Sequence, residues 1–147
     1  MTHAQPAKPI RNNAPPSSSP DSSVKYYSGT AVYHKQFNLP GTPANDRLLL
    51  DLGEVDDVAS VRLNGKDLGI IWTKPASVDI SSAARAGEND LEITVVNLWP
   101  NRLTRDESLS KEKRLTETNI HKFGPKSPLL PSGLIGPVKL LTVEAPP

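Results

Sequence analysis

The chain has no cysteine, which excludes disulfide bonds, thiolate zinc sites and a cysteine nucleophile. It has only three histidines, at 3, 34 and 121, and they form no ligand cluster with metal-binding spacing. No Asp-x-Asp-x-Asp loop of the calcium-binding kind occurs either. No apolar run approaches the ~20 residues that span a bilayer. The N-terminus also lacks an apolar signal-peptide core, so export of a parent protein would rest on a signal outside this sequence. An excess of one charge is missing too: 17 basic against 16 acidic side chains leave +1. A nucleic-acid binder would concentrate basic charge on one face, so neither nucleic acid nor a membrane is expected as a partner. Aromatic residues are scarce, at 5%.

Proline is plentiful, 15 in 147 residues, and unevenly placed. Residues 1–23 combine Pro, Ser, Asn and Ala with almost nothing apolar. Such a segment buries too little surface to offset the entropy of ordering it. It reads as a disordered linker or tail, leaving residues 24–147 as one domain of a size that supports a single core.

From Tyr26 onward the pattern has period two. A strand from Gly29 places Ala31, Tyr33 and Phe37 on one face and Val32 on the other. Arg47 to Leu52 is a Leu-rich run, consistent with a strand covered on both faces. Val58 to Asn64 alternates, with Ala59, Val61 and Leu63 inward, and Asn64-Gly65 then predicts a type I′ hairpin returning through Lys66 to Trp72. Ser77 to Ile80 is a short strand, and Ser81 to Gly87 reads as a helical turn closed by glycine. Asn89 to Leu98 is the clearest strand, with Leu91, Ile93, Val95 and Asn97 on one face. Val138 to Val143 is the last. About seven short strands without βαβ alternation predict an all-β sandwich or jelly roll. Between Trp99 and Pro137 no strand is expected. Asp106 to Leu115 could form a short charged helix, and the Pro/Gly-rich stretch with Leu129, Leu130, Leu134 and Ile135 is expected to pack over a sheet end. Connections this long are usually functional or disordered.

Val61-Arg-Leu-Asn-Gly65, Leu68-Gly69, Val78-Asp-Ile80 and Gly87-Glu-Asn-Asp-Leu91 resemble the sugar-binding sandwich domain of family 2 glycoside hydrolases. Tyr26 to Tyr33, Leu50-Asp-Leu-Gly53, Val96 to Leu103 and Ser127 to Val138 resemble the C-terminal domain of bacterial α-L-rhamnosidases of glycoside hydrolase family 106. The resemblance implies a galactose-binding-like jelly roll with one long irregular loop. It also implies attachment to a much larger exported bacterial enzyme, secreted or periplasmic. The catalytic barrel of that family is absent, and Glu117 stands where an aromatic is expected in Thr-x-Thr-Asn. Sandwiches of this type in some cases hold a structural calcium through carbonyls and scattered carboxylates; no other cofactor is implied.

Glycoside hydrolysis needs two carboxylates across a cleft. Asp56, Asp57, Asp106, Glu107, Glu112 and Glu117 are available, but Asp56-Asp57 lies in a turn and Glu107 to Glu112 is interleaved with lysine. These read as solvated surface. Ser132 in Pro-Ser-Gly lacks the nucleophile elbow, with His121 the only base in prospect, so no catalytic site is expected. Sugar recognition instead needs an aromatic platform and planar hydrogen-bonding side chains. Asn97, Trp99, Asn101 and Arg102 provide these at the end of the clearest strand, with Trp72 nearby and His121 or Asn119 reaching over from the long loop. A structural explanation competes, in which Arg102 pairs with Asp106 and both tryptophans cap the core. The expected roles are a weak sugar-binding module of a rhamnosidase-like hydrolase, or a domain that docks on a catalytic barrel without binding sugar. A small stand-alone hydrolase is the remote third.

Overall fold

The computed structural model describes residues 16–42, 46–119 and 122–144. Among these residues nine strands form three antiparallel sheets. The largest has the order β1 (Gly29–Leu39), β7 (Gly87–Asn97), β4 (Val58–Leu63), β5 (Lys66–Ile71). A second runs β6 (Ser77–Asp79), β2 (Asp46–Asp51), β9 (Lys139–Glu144), and β3 (Glu54–Asp56) pairs with β8 (Gly133–Gly136). The sandwich expected from the sequence is therefore present.

Alternation sets the inner face. Ala59 lies opposite Val95, Val61 opposite Ile93 and Leu63 opposite Leu91, and all six are almost wholly buried. Leu48 and Leu50 of β2, Leu140 of β9 and Ile80 close the core with them. Leu49, on the other face of β2, is half-buried. At the hairpin Asn64 and Gly65 have φ of 51° and 80°, the positive pair that a type I′ turn requires. The Asn64 amide also donates to the Ala83 carbonyl and to Asn89 Oδ1, both at 2.8 Å. Asn89 is completely buried and donates in turn to the carbonyls of Arg85 and Gly87. The two asparagines of the Leu-Asn-Gly and Gly-Glu-Asn motifs thus form one staple between the hairpin and the 81–87 turn. That segment is a single turn hydrogen-bonded on the Ile80 carbonyl and closed at Gly87, whose φ is 85°.

Three features differ from the sequence reading. The helix of the long connection, α2, covers Pro100–Asp106 and ends where a helix was expected to begin. Pro100 sits at its first position, where a missing N–H costs nothing and φ is already helical, whereas Lys111–Lys113 makes only a single 3-10 turn. Strand β8 lies inside the supposed strandless stretch. Four residues between prolines carry no periodicity, and pairing with β3 supplies what the local sequence does not. Finally, Pro16–Ser18 and α1 (Ser22–Lys25) are helical turns. A Cβ on Gly133 would come within 2.9 Å of Pro16 Cγ and of Tyr33 Oη, so Pro16 rests directly on β8. The described structure therefore takes in Pro16 to Ser23 as well as the chain from Val24; residues 1–15 lie outside it.

The outer face of the large sheet is divided. One half carries Val32, Ile70, Val96 and Val58, in neighbouring rows of the ladder and all exposed. The other carries His34, Glu92 and Arg62 in one row, with Gln36 opposite Asp90 in the next. No helix among the described residues is long and apolar enough to cross a membrane.

Candidate functional site

The apolar half of the sheet leads to the end of the sandwich where the long connection starts. Alternation carries Asn97 inward, where it is 2% exposed, and Leu98 outward. Asn101 faces inward from α2 and forms a reciprocal pair with the Leu130 backbone: Nδ2 donates to the carbonyl and Oδ1 accepts from the N–H, both at 2.8 Å. Its amide thereby acts as a piece of strand edge for the returning loop. Arg102 donates through Nη2 and Nε to Asp106 Oδ1, the structural role anticipated for it. Trp99 and Trp72 do not cap the core; they are 63% and 75% exposed. His121 lies outside the described residues, and Asn119 is exposed. Of the predicted cluster, then, Asn97, Asn101 and Arg102 point into the protein and the two indoles point out.

Two clefts meet here on a shared wall, Asp56-Asp57. One, of about 220 Å³, runs along Leu98, Pro100, Leu130 and Ser132. The other, of about 160 Å³, runs along Trp72, Thr73 and Lys74. The sequence reading of Asp56-Asp57 as solvated surface holds for Asp57, which is exposed, and is corrected for Asp56, which is half-buried. Asp57 adopts φ of 81° in the turn from β3 to β4, and its Oδ2 accepts the Leu98 N–H at 3.1 Å. Asp56 Oδ2 is buried with no hydrogen-bond partner among the described residues. Burial, with Glu54 and Asp57 adding to it, pushes the Asp56 carboxyl up from its ordinary value, against an opposing pull from Lys74. Ser132 is 6% exposed, and its hydroxyl and both amide atoms of Asn97 are likewise buried without a partner among the described residues. Asp56, Asp57, Lys74 and Ser132 were not foreseen as a group. An Asp-Asp turn gives no local signal of burial, because the wall that covers it comes from β8 and from the loop before it.

A larger cleft, about 560 Å³, opens between α2 and residues 111–118, with Leu103 and Leu115 as its apolar wall and Lys111 and Glu117 at its edge. Asp106 organises it. Oδ2 accepts from the Thr116 hydroxyl at 2.6 Å, the Thr116 N–H at 2.8 Å and the Leu115 N–H at 3.2 Å. Burial alone would raise the Asp106 pKa, but the bonds from Arg102 and Thr116 outweigh it and leave it lowered. Glu107 pairs with Arg114 at 3.2 Å. These carboxylates hold the connection in shape. Ser132 has no histidine base at hand among the described residues, where His34 sits on the outer sheet face against Glu92.

The family profile described as glycosyl hydrolase 2 galactose-binding domain-like matches residues 14–129. A protein of Formosa agariphila, provisionally named a β-glucuronidase, is 39% identical over 80% of this chain and 12% of its own length. Among solved structures, a rhamnosidase from Novosphingobium sp. PP1Y superposes with a TM-score of 0.81 at 43% identity, covering 87% of this chain and 12% of that one. A β-D-glucuronidase from Dictyoglomus thermophilum shares the fold alone, with a TM-score of 0.60 at 20% identity over 98% of this chain and 27% of that one. The chain thus spans about an eighth of the length of the first two.

Proposed function

The chain belongs to the glycosyl hydrolase 2 galactose-binding domain-like family, and we propose that it serves as a non-catalytic accessory domain that packs on the catalytic portion of a large, exported, rhamnosidase-like glycoside hydrolase. One observation carries this reading. Asn101 and Arg102 at the loop end are engaged internally and Asn97 is buried, while Leu98, Trp99, Leu115 and Leu130 of the connection stand exposed. Val58, Val96 and Ile70 continue the apolar character along the adjoining half-sheet, and Trp72 follows directly after β5. Soluble domains rarely expose contiguous apolar surface unless another surface covers it. Antiparallel sheets with one solvated face normally show polar residues there, as the other half of this one does.

In a full-length parent enzyme, Trp72→Ser combined with Trp99→Ser should lower the unfolding midpoint and speed proteolytic release of this domain. The same pair should leave the isolated chain's own midpoint within about a degree, because both indoles are already in water. An unaffected parent would refute docking. A second reading, weak sugar binding, draws on the same exposed indoles, whose flat faces suit the apolar face of a pyranose. Titration calorimetry of the isolated chain with rhamnose, galactose and plant oligosaccharides separates the two readings. Saturable heat abolished by Trp72→Ala or Trp99→Ala favours the sugar, and no heat favours docking.

A further inference from the structure

Taking the domain as docked on its parent's catalytic portion, we propose that the cleft between Asp56-Asp57 and Ser132 receives an arginine side chain of that portion. The cleft measures about 220 Å³, below the ~300–1,000 Å³ of pockets that enclose small molecules, so it suits a single side chain. Its apolar walls are Leu98, Pro100 and Leu130, and both leucines belong to the exposed surface that docking covers. Its polar groups sit on adjoining backbone: Asp56 pairs with Gly133 in the β3–β8 ladder, which sets Ser132 one residue along, and Asp57 follows directly. Asp57 is exposed; its Oδ2 accepts the Leu98 N–H, and its other carboxylate oxygen has no partner among the described residues. Asp56 Oδ2 is buried and unpartnered among those residues, and so is the hydroxyl of Ser132, itself 6% exposed. Buried polar groups are nearly always satisfied, and native exceptions call for a partner.

Charge and shape select that partner. The free acceptors belong to two carboxylates and one hydroxyl, and Glu54 adds further negative charge. Lys74 alone opposes them, and it lines the cleft beyond Asp56-Asp57 rather than this one. Burial first, then Glu54 and Asp57, push the Asp56 carboxyl up, as expected of an acid without a close counter-ion. On the outer face of the large sheet, by contrast, Arg62 stands between Glu92 and Asp67 in the ladder. The missing charge is thus positive and belongs at this cleft. A guanidinium offers five donors in a planar fork, pairs with carboxylates and sheds water more readily than an ammonium. Its aliphatic stem would lie along Leu98, Pro100 and Leu130, as long cationic side chains do on apolar surface. Arginine anchors seated in pockets are among the residues that dominate interface energy. The apolar face around the cleft is non-directional in its attraction, so one seated charge would fix how the domain sits on its parent.

Asp57→Asn isolates the charge, because asparagine also accepts the Leu98 N–H and tolerates the φ of 81° at this turn. In the full-length parent enzyme this variant should speed proteolytic release of the domain about tenfold or more, the effect of losing a hydrogen bond to a charged group. The Tm of this chain alone should stay within about a degree. Trp72→Ser combined with Trp99→Ser tests docking itself. A parent loosened by the indole pair but not by Asp57→Asn keeps the docking and overturns the arginine, whereas a parent indifferent to both overturns the two together. A second measurement uses this chain without its parent. In an NMR titration N-acetylargininamide should shift the Leu98, Leu130 and Ser132 amide signals, N-acetyllysinamide should shift them several-fold less, and Asp57→Asn should abolish the difference. Should Asp57→Asn fail to fold, Ser132→Ala and the wild-type titration decide the question, with the arginine probe's shifts weakened in Ser132→Ala. Equal shifts with the two probes, or none with either, overturn the proposal and leave ordered water as the partner of these groups.

Discussion

Replacing Asp106 by alanine should be among the most damaging single changes to the long connection. Its carboxylate accepts five hydrogen bonds: Oδ1 from Arg102 Nη2 at 2.5 Å and Nε at 3.1 Å, and Oδ2 from the Thr116 hydroxyl, the Thr116 N–H and the Leu115 N–H. The side chain of Asp106 is 3% exposed and that of Arg102 17%. Asp106→Ala leaves a largely buried guanidinium without its counter-ion and two backbone donors without an acceptor. Breaking a buried pair in this way costs about 3–5 kcal/mol, a large share of the ~5–15 kcal/mol that holds a domain folded. Arg102→Ala should cost less, about 1.5–3 kcal/mol, the value of a hydrogen bond to a charged group. The difference arises because Asp106 retains three donors. Urea unfolding of the wild type, both single variants and the double variant measures these values and the coupling between them. Native-state hydrogen exchange should show the Leu115 and Thr116 amides losing protection in Asp106→Ala first. An Asp106→Ala cost below about 1 kcal/mol, or an Arg102→Ala cost exceeding it, would refute this account of how the connection is held.

Other parts of the fold can be tested in the same way. Asn89→Ala should cost about 2–4 kcal/mol by urea unfolding, since it strands the Asn64 amide, the Arg85 N–H and two carbonyls at a fully buried position. Asp79 is held at about 2, below the ordinary 3.8, by its hydrogen bonds from Ser81 and then from Arg47. Its contribution to stability is therefore complete above the unfolded-state value and fades as pH falls from about 5 towards 2. Asp79→Asn should flatten the stability profile in that window and cost less than about 1 kcal/mol at pH 7, since the ion pair is well exposed. Removing residues 1–15 should leave Tm within about a degree, whereas removal through Ser23 should lower it by several, because Pro16 leaves Gly133. Equal midpoints for the two truncations would show that this contact adds no stability.

The sequence by itself determined the features governed by neighbours along the chain. Period-two alternation in Val58 to Leu63 and in Leu91 to Asn97 decides which side chains face inward, because successive residues of a strand point to opposite faces whatever lies across from them. Asn64-Gly65 determined its turn because few residues tolerate positive φ at two successive positions. The motifs around these elements carried the resemblance to the family, and the inward placement of Asn97 was legible from its parity with Val95. Tertiary structure decided what the side chains meet. Asn101 became a surrogate strand edge only because Leu130 returns to it, and Asp56 Oδ2 became buried only because β8 and Ser132 lie against it. Strand β8 exists because β3 lies alongside it. Trp72 and Trp99, read from the sequence as a sugar platform with core capping as the competing explanation, stand exposed because Leu, Ile and Val from both sheets already fill the core. Hydrogen-bond partners separated by 29 residues, or walls contributed by separate strands, leave no periodic trace in sequence, since loop closure sets those distances and local preference does not. Hence the fold could be read from the amino acids alone, while the division between side chains engaged inside and surfaces left open waited on the packing of the long connection.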